Sequence, residues 1–218
     1  MIKIKRSTPP PASLAIEKVK AFGSYNRPDV MTQLVHDFHN KCYLCEICPP
    51  HGIEVEHLRP HGGDVDRKFD WNNLFLVCQH CNSTKNRAKF SDMILDCCTE
   101  EPESVLDYHL VAGHISVKPL GQAPEPEAVL TADLLTDCFE LMNTGIREQE
   151  CKIRKDELSK TMISLYKQLG DYKKTGSNKS LKALRGMLSR TYKFAGFTRA
   201  YVRRHLEKYP NLAEYVQL

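Results

Sequence analysis

Apolar residues recur along the chain at two periods, and the change of period divides it. After Pro28-Asp29, where proline suits the first helical position and an acid suits the positive helix end, Val30, Leu34, Val35 and Phe38 repeat at helical spacing. A shorter helix is predicted over 13–21. Ser7-Thr-Pro-Pro-Pro-Ala-Ser13 cannot join it, because each proline drives its predecessor to extended backbone. An extended arm is expected there, suited to lying over another surface. Val55–Leu58 and Asn73–Cys78 read as short strands on either side of a loop, and a helix is expected from Cys81. Leu106–Val111 and His114–Val117 flank Ala112-Gly113 as a hairpin.

The Pro-rich stretch 119–128 is the predicted boundary, giving one unit at 1–120 and a second at 129–218. Beyond it the period is helical. Leu134, Leu135, Cys138, Leu141 and Met142 share a face; Leu158, Met162, Leu165 and Leu169 form a second stripe; Leu181, Leu184, Leu188 and Tyr192 form a third. Gly170 and Thr175–Lys179 are expected as breaks, leaving three or four helices. The class is α+β.

Charge sharpens this division. The formal net charge is +4, but residues 173–208 carry a run of bases with Glu207 as their one acid. Such a field suits a phosphate backbone or an acidic protein surface. Tyr172, Tyr192, Phe194, Phe197 and Tyr201 are interleaved with it. They fit stacking on single strands, a protein interface or a helical core, and the pattern does not separate the three. The opening Met-Ile-Lys-Ile-Lys-Arg lacks the apolar segment of a secretory signal, and no window reaches the ~18 apolar residues of a membrane span. A cytoplasmic protein is expected. Nine cysteines in a reducing compartment point away from disulfides and towards metal.

Cys42-x-x-Cys45 and Cys78-x-x-Cys81 enclose 32 residues between Cys45 and Cys78. A CxxC turn brings two thiolates to one ion, and two such turns supply the tetrahedral set of a closed structural Zn²⁺ site. Cys48 extends the first pair and is an alternative ligand. Cys97, Cys98, Cys138 and Cys151 have no ligand spacing and read as packing residues, and His80, between Cys78 and Cys81, is expected to point outwards.

Between the cysteine pairs lie Glu56-His57 and Asn73, and Asn82 follows Cys81 directly. Phosphodiester hydrolysis needs a base to deprotonate water and a divalent cation to neutralise charge on the phosphate. His57 is the candidate base. Neighbouring strand residues face opposite ways, so Glu56 and His57 reach one ion only where the strand bends or ends; Pro60 makes that end plausible. The oxygens of Glu56 and Asn82 suit a hard ion, Mg²⁺ or Mn²⁺. Asn73 is expected to orient the imidazole through its side-chain carbonyl. Arg59 and His61 in the following loop, and Lys85 and Arg87 on the helix, are candidates for the nucleic-acid phosphates.

Val55-Glu-His-Leu-Arg-Pro60, Gly62-Gly63, Asn73-Leu74 and Cys78-Gln-His-Cys-Asn-Ser-Thr-Lys85 resemble an HNH endonuclease of the ββα-metal superfamily, over about 45 of the 218 residues. The resemblance implies His57 as general base, Asn73 as its orienting residue, and Glu56 and Asn82 as ligands of the catalytic metal. Asn82 makes this an HNN version, which favours Mg²⁺. It also implies a zinc-stapled ββα-metal core flanked by helices, with an all-helical C-terminal module for substrate or partner. The wider layout, a basic Pro-rich arm, this unit near residue 50 and a basic helical end, is similar to the PtuB nucleases of Septu and retron-associated anti-phage systems. That likeness implies nuclease action on nucleic acid, DNA foremost, in a hetero-oligomer with an ATPase of the PtuA type. A competing reading is a zinc-stapled nucleic-acid-binding or adaptor protein without catalysis.

Overall fold

The computed structural model describes residues 1–90 and 93–218. Helices α1 (Ala12–Lys18) and α2 (Pro28–Asp37) lead into the antiparallel pair β1 (Ile53–His57) and β2 (Leu74–Cys78). The loop between those strands holds a one-turn helix, α3 (Val65–Lys68), and a tight turn at Trp71–Asn73. Helix α4 (Gln79–Lys85) follows β2 without a break. A one-turn helix, α5 (Pro102–Val105), introduces the second hairpin, β3 (Leu106–Val111) and β4 (His114–Pro119). Four α-helices follow, α6 (Pro126–Glu140), α7 (Gly145–Thr175), α8 (Asn178–Met187) and α9 (Ala195–Arg203), and then a 3-10 helix at Pro210–Tyr215. None of the described helices is long and apolar enough to cross a membrane.

The mixed α+β class agrees with the expectation from periodicity, and several boundaries move. Gly170, predicted as a break, lies inside the 31-residue α7, whereas the break predicted at Thr175–Lys179 is observed: α7 ends at Thr175 with Gly176 capping it in the left-handed conformation. A single glycine inside a helix costs only about 1 kcal/mol, whereas Gly176 meets a cap position that demands positive φ. Tyr192 falls beyond α8, in a turn.

Every residue of β2 is buried, because the strand is covered on both faces. One apolar cluster then runs from Met1 to Val216. The arm at 7–13, expected to lie over another surface, lies over its own chain, with Ser7 N–H donating to Asp37 Oδ2 at 2.8 Å and Trp71 Nε1–H to Ser7 O at 3.3 Å. Its last two residues, Ala12 and Ser13, are helical because they follow the prolines and open α1. The residues before the arm are packed in as well. Met1, Ile2 and Ile4 are buried, and Ile4 N–H donates to Cys97 O at 2.8 Å. Arg6 stacks its guanidinium on Phe75 and Trp71 and donates to Leu74 O at 2.6 Å. The Pro-rich connector likewise has core on both sides. Helix α6 packs on β4 and α4, and the Thr136 hydroxyl accepts Val117 N–H at 3.0 Å.

Much of the basic C-terminal stretch is structural. Arg199 is buried and donates from Nε to both oxygens of Glu103, at 2.8 and 3.1 Å. Arg203 joins the same carboxylate, Arg190 reaches Glu101 and Glu103, and Arg204 pairs with Asp107. Phe194 and Phe197 are core residues beside Phe139. Lys173, Lys174, Lys179 and Lys182, at the α7–α8 turn, stay exposed.

Candidate metal centre and adjoining cleft

The first CxxC turn leaves α2 and is held to the sheet by Tyr43 N–H donating to Leu76 O at 3.0 Å. The second starts at the last residue of β2 and ends in the first turn of α4. The Sγ atoms of Cys42, Cys45, Cys78 and Cys81 all lie within 4.8 Å of one another and are buried. For a Zn–S bond of about 2.3 Å, tetrahedral geometry sets sulfur separations of about 3.8 Å; Cys45 and Cys78 are 4.0 Å apart. The set is positioned to bind a metal ion and is compatible with structural zinc. Cys48 is outside it, half-buried, with its thiol 3.9 Å from His39 O. Burial pushes the Cys42 and Cys81 thiols up, while hydrogen bonds from Cys42 and Cys45 pull Cys78 down.

Residues that spacing did not single out line the outer side of this centre. His80 is buried rather than outward-facing, and its Nε2 lies 3.0 Å from Cys138 O, which fixes the proton on that nitrogen. The Cys151 sulfur is 3.9 Å from the same nitrogen. Arg154, from the middle of α7, donates to Cys78 Sγ at 3.0 Å. Of the four cysteines read as packing residues, Cys138 and Cys151 are buried beside this centre, Cys97 is buried elsewhere and Cys98 is half-buried.

On the other side of α4 opens a cleft of about 490 Å³, lined among others by Tyr25, Glu56, His57, His61, Asn82, Lys85 and Arg87. His57 is the last residue of β1, so the strand ends where two adjacent residues must diverge. Its Nε2 lies 3.0 Å from Lys68 O. A carbonyl only accepts, so Nε2 carries the proton and the lone pair is on Nδ1. The ring meets Tyr25 and His61 edge-on, at 4.5 and 4.8 Å between centroids. Burial lowers the His57 pKa, partly opposed by the Lys68 carbonyl, so the ring is neutral at pH 7.

Asn73 does not touch the imidazole. Its Oδ1 accepts Arg59 N–H at 2.8 Å, and its Nδ2 donates to Arg59 O and Arg67 O at 2.9 and 3.3 Å. It therefore ties both ends of the loop together, next to the Lys68 carbonyl that holds the ring. The expected direct contact is replaced by an indirect one, because the side chain is short and the loop backbone is closer.

Glu56 is turned inwards, bonded to the Tyr43 hydroxyl, with Lys85 Nζ 3.6 Å from its Oε2. That oxygen is buried and has no hydrogen-bond partner. Burial raises the Glu56 pKa to about 7, against the pull of Lys85. Asn82 meets Glu54 rather than Glu56, donating from Nδ2 to Oε2 at 2.6 Å. Glu54 and Glu56 share a face of β1 by strand alternation, a relation visible in the sequence as i, i+2. Among the described residues, the four cysteines are the group of three or more His, Cys, Asp or Glu side chains that could share one ion.

Of the expected phosphate contacts, His61 and Lys85 face the cleft, and Lys85 also donates to His57 O at 2.9 Å. Arg87 lines it while paired with Asp137 at 2.7 Å. Arg59 lies in a neighbouring depression and is paired with Glu127 at 3.0 Å. Helix α6 supplies both acids, so it offsets two of the expected cations.

No family model matches the chain. It is similar to the Septu protein PtuB of Bacillus mycoides (strain KBAB4), with 25% identity over 176 residues, covering 65% of this chain and 57% of that protein. The chain thus spans little more than half the length of the relative it matches.

Proposed function

We propose that the chain is a metal-dependent endonuclease of the HNH type that hydrolyses nucleic acid, DNA foremost, in anti-phage defence together with a PtuA-type ATPase. The observation that carries this reading is the cleft in which a neutral, tautomer-fixed imidazole at His57 faces Lys85 and His61. The distant similarity to Septu protein PtuB supports the defence setting. The orphaned Glu56 oxygen and the Asn82 side chain line the same cleft, and Glu54, bonded to Asn82, adds a further carboxylate; an all-oxygen set of this kind is chemistry that fits a hard cation.

In this reading His57 takes a proton from water through Nδ1. Asn73 and the Lys68 carbonyl keep the ring from rotating, and His61 and Lys85 hold the phosphate. Glu56 and Asn82 would hold Mg²⁺ or Mn²⁺, which would neutralise the charge that builds on the phosphate and leaving oxygen. Lys85 partners Glu56 at 3.6 Å, so the ammonium would move onto the substrate phosphate where Glu56 held the ion.

The test is a plasmid incubation with Mg²⁺, Mn²⁺ or EDTA, with and without the partner ATPase. Cleavage that requires the divalent ion is expected in at least the complete mixture. Binding without cleavage in every mixture overturns the nuclease reading in favour of the adaptor. Because burial lowers the His57 pKa below the ordinary 6.5, the rate should hold on the acidic side of that value before it falls. A fall centred at or above 6.5 contradicts His57 as the base.

A further inference from the structure

Helix α7 buries a stripe of Cys151, Leu158, Met162, Leu165 and Leu169, and Arg154 sits in the same stripe, fully buried. A guanidinium is out of place there unless something answers its charge, since an unpaired buried charge is strongly destabilising. Its Nη1 is satisfied by Glu150, at 2.8 Å to the backbone oxygen and 2.6 Å to Oε2. Its Nη2 donates to Cys78 Sγ at 3.0 Å, and its Nε is buried without a hydrogen-bond partner. The chemistry explains the placement. Four thiolates around one divalent cation leave a net charge of −2, and Arg154 is the cation brought to that surplus from 76 residues away.

We infer that Arg154 is the charge-compensating positioning residue of the four-cysteine metal centre, and that through it metal occupancy holds α7 against the strand–helix unit. The site then does more than staple its own knuckle. A thiolate that accepts a charged hydrogen bond is a weaker nucleophile and a better-oriented ligand, as partners outside the ligand shell commonly arrange. This inference rests on the cysteine cluster and is independent of nuclease activity.

The test compares the full chain with R154M, which keeps the volume and loses the charge, and R154K, which keeps the charge. Zinc affinity is read by chelator competition, and zinc release by reaction with a thiol-directed electrophile. Loss of a partner outside the ligand shell typically costs about 10–100-fold in metal affinity. We expect R154M to bind zinc that much more weakly and to release it faster, with R154K intermediate. In the cobalt-substituted protein, the sulfur-to-cobalt charge-transfer band should shift in R154M. If R154M does not accumulate folded, it is refolded with graded excess zinc. Rescue by zinc supports the inference, because mass action restores a weakened site. A folded R154M with wild-type affinity, release rate and cobalt spectrum, or a misfolded one that zinc does not rescue, overturns it.

Discussion

Burial holds the Glu56 carboxyl at about 7 although an ammonium lies 3.6 Å away. An unfolded glutamate releases its proton near 4.5. Between those values the folded chain keeps a proton that the unfolded chain has lost. The group therefore costs stability increasingly as pH rises through that window, and fully above about 7. Glu56→Gln never ionises. The stability difference between variant and wild type should move in favour of the variant by up to about 3 kcal/mol from pH 4.5 to 8. Urea unfolding of both proteins in Mg²⁺-free buffer checks this, and parallel pH profiles would contradict it. Some of this residue-level picture is legible in the sequence. Strand alternation forces Glu56 and His57 apart, and Pro60 announces the strand's end. What alternation cannot reveal is the partner across space: Tyr43 for Glu56, Glu54 for Asn82, and the loop backbone for Asn73.

Among the elements, the basic C-terminal stretch divides into two populations that look alike in sequence. Arg199 is enclosed by Glu103 and by the carbonyls of Leu188, Tyr215 and Gln217. Arg199→Met leaves the buried Glu103 carboxylate short of its most buried partner, and should cost about 3–5 kcal/mol by chemical unfolding. Lys173, Lys174, Lys179 and Lys182 are exposed at the α7–α8 turn. Replacing them with Ser should leave stability within about 0.5 kcal/mol. If this turn is the phosphate-binding part of the proposed nuclease, the same variant lowers the salt slope of DNA binding by roughly 0.9 per lost contact. An unchanged slope removes these lysines from the substrate path. A basic run with Glu207 as its one acid suggests an open field, because the acids that answer it at Glu101, Glu103 and Asp107 lie about a hundred residues earlier. The helices and the second hairpin were readable from period and turn chemistry. The join between the halves was not, since a proline-rich connector marks a change of direction and does not exclude a shared core.

The whole molecule is organised around two sides of α4, with sulfurs on one and the cleft on the other. Both CxxC turns were legible from spacing, which still left Cys48 as an alternative in the first pair; the packing of the four sulfurs singles out Cys42 and Cys45. His80 and Arg154 were not, because a histidine inside a tight turn and an arginine on a long helix reveal nothing of what they touch. Structural zinc supplies about 10–16 kcal/mol of apparent binding energy in small domains. Removing metal with a chelator should therefore unfold the strand–helix unit and release α7 with it, seen as loss of amide protection over β2, α4 and the first half of α7. Retained protection there would show that the apolar core suffices. The most direct measurement for the whole account is plasmid cleavage by His57→Ala under the conditions that activate wild type, with zinc content determined on the same preparation. A full complement of zinc with cleavage reduced about 10²–10⁴-fold is the expected result. Zinc-replete protein that cleaves at the wild-type rate would contradict it.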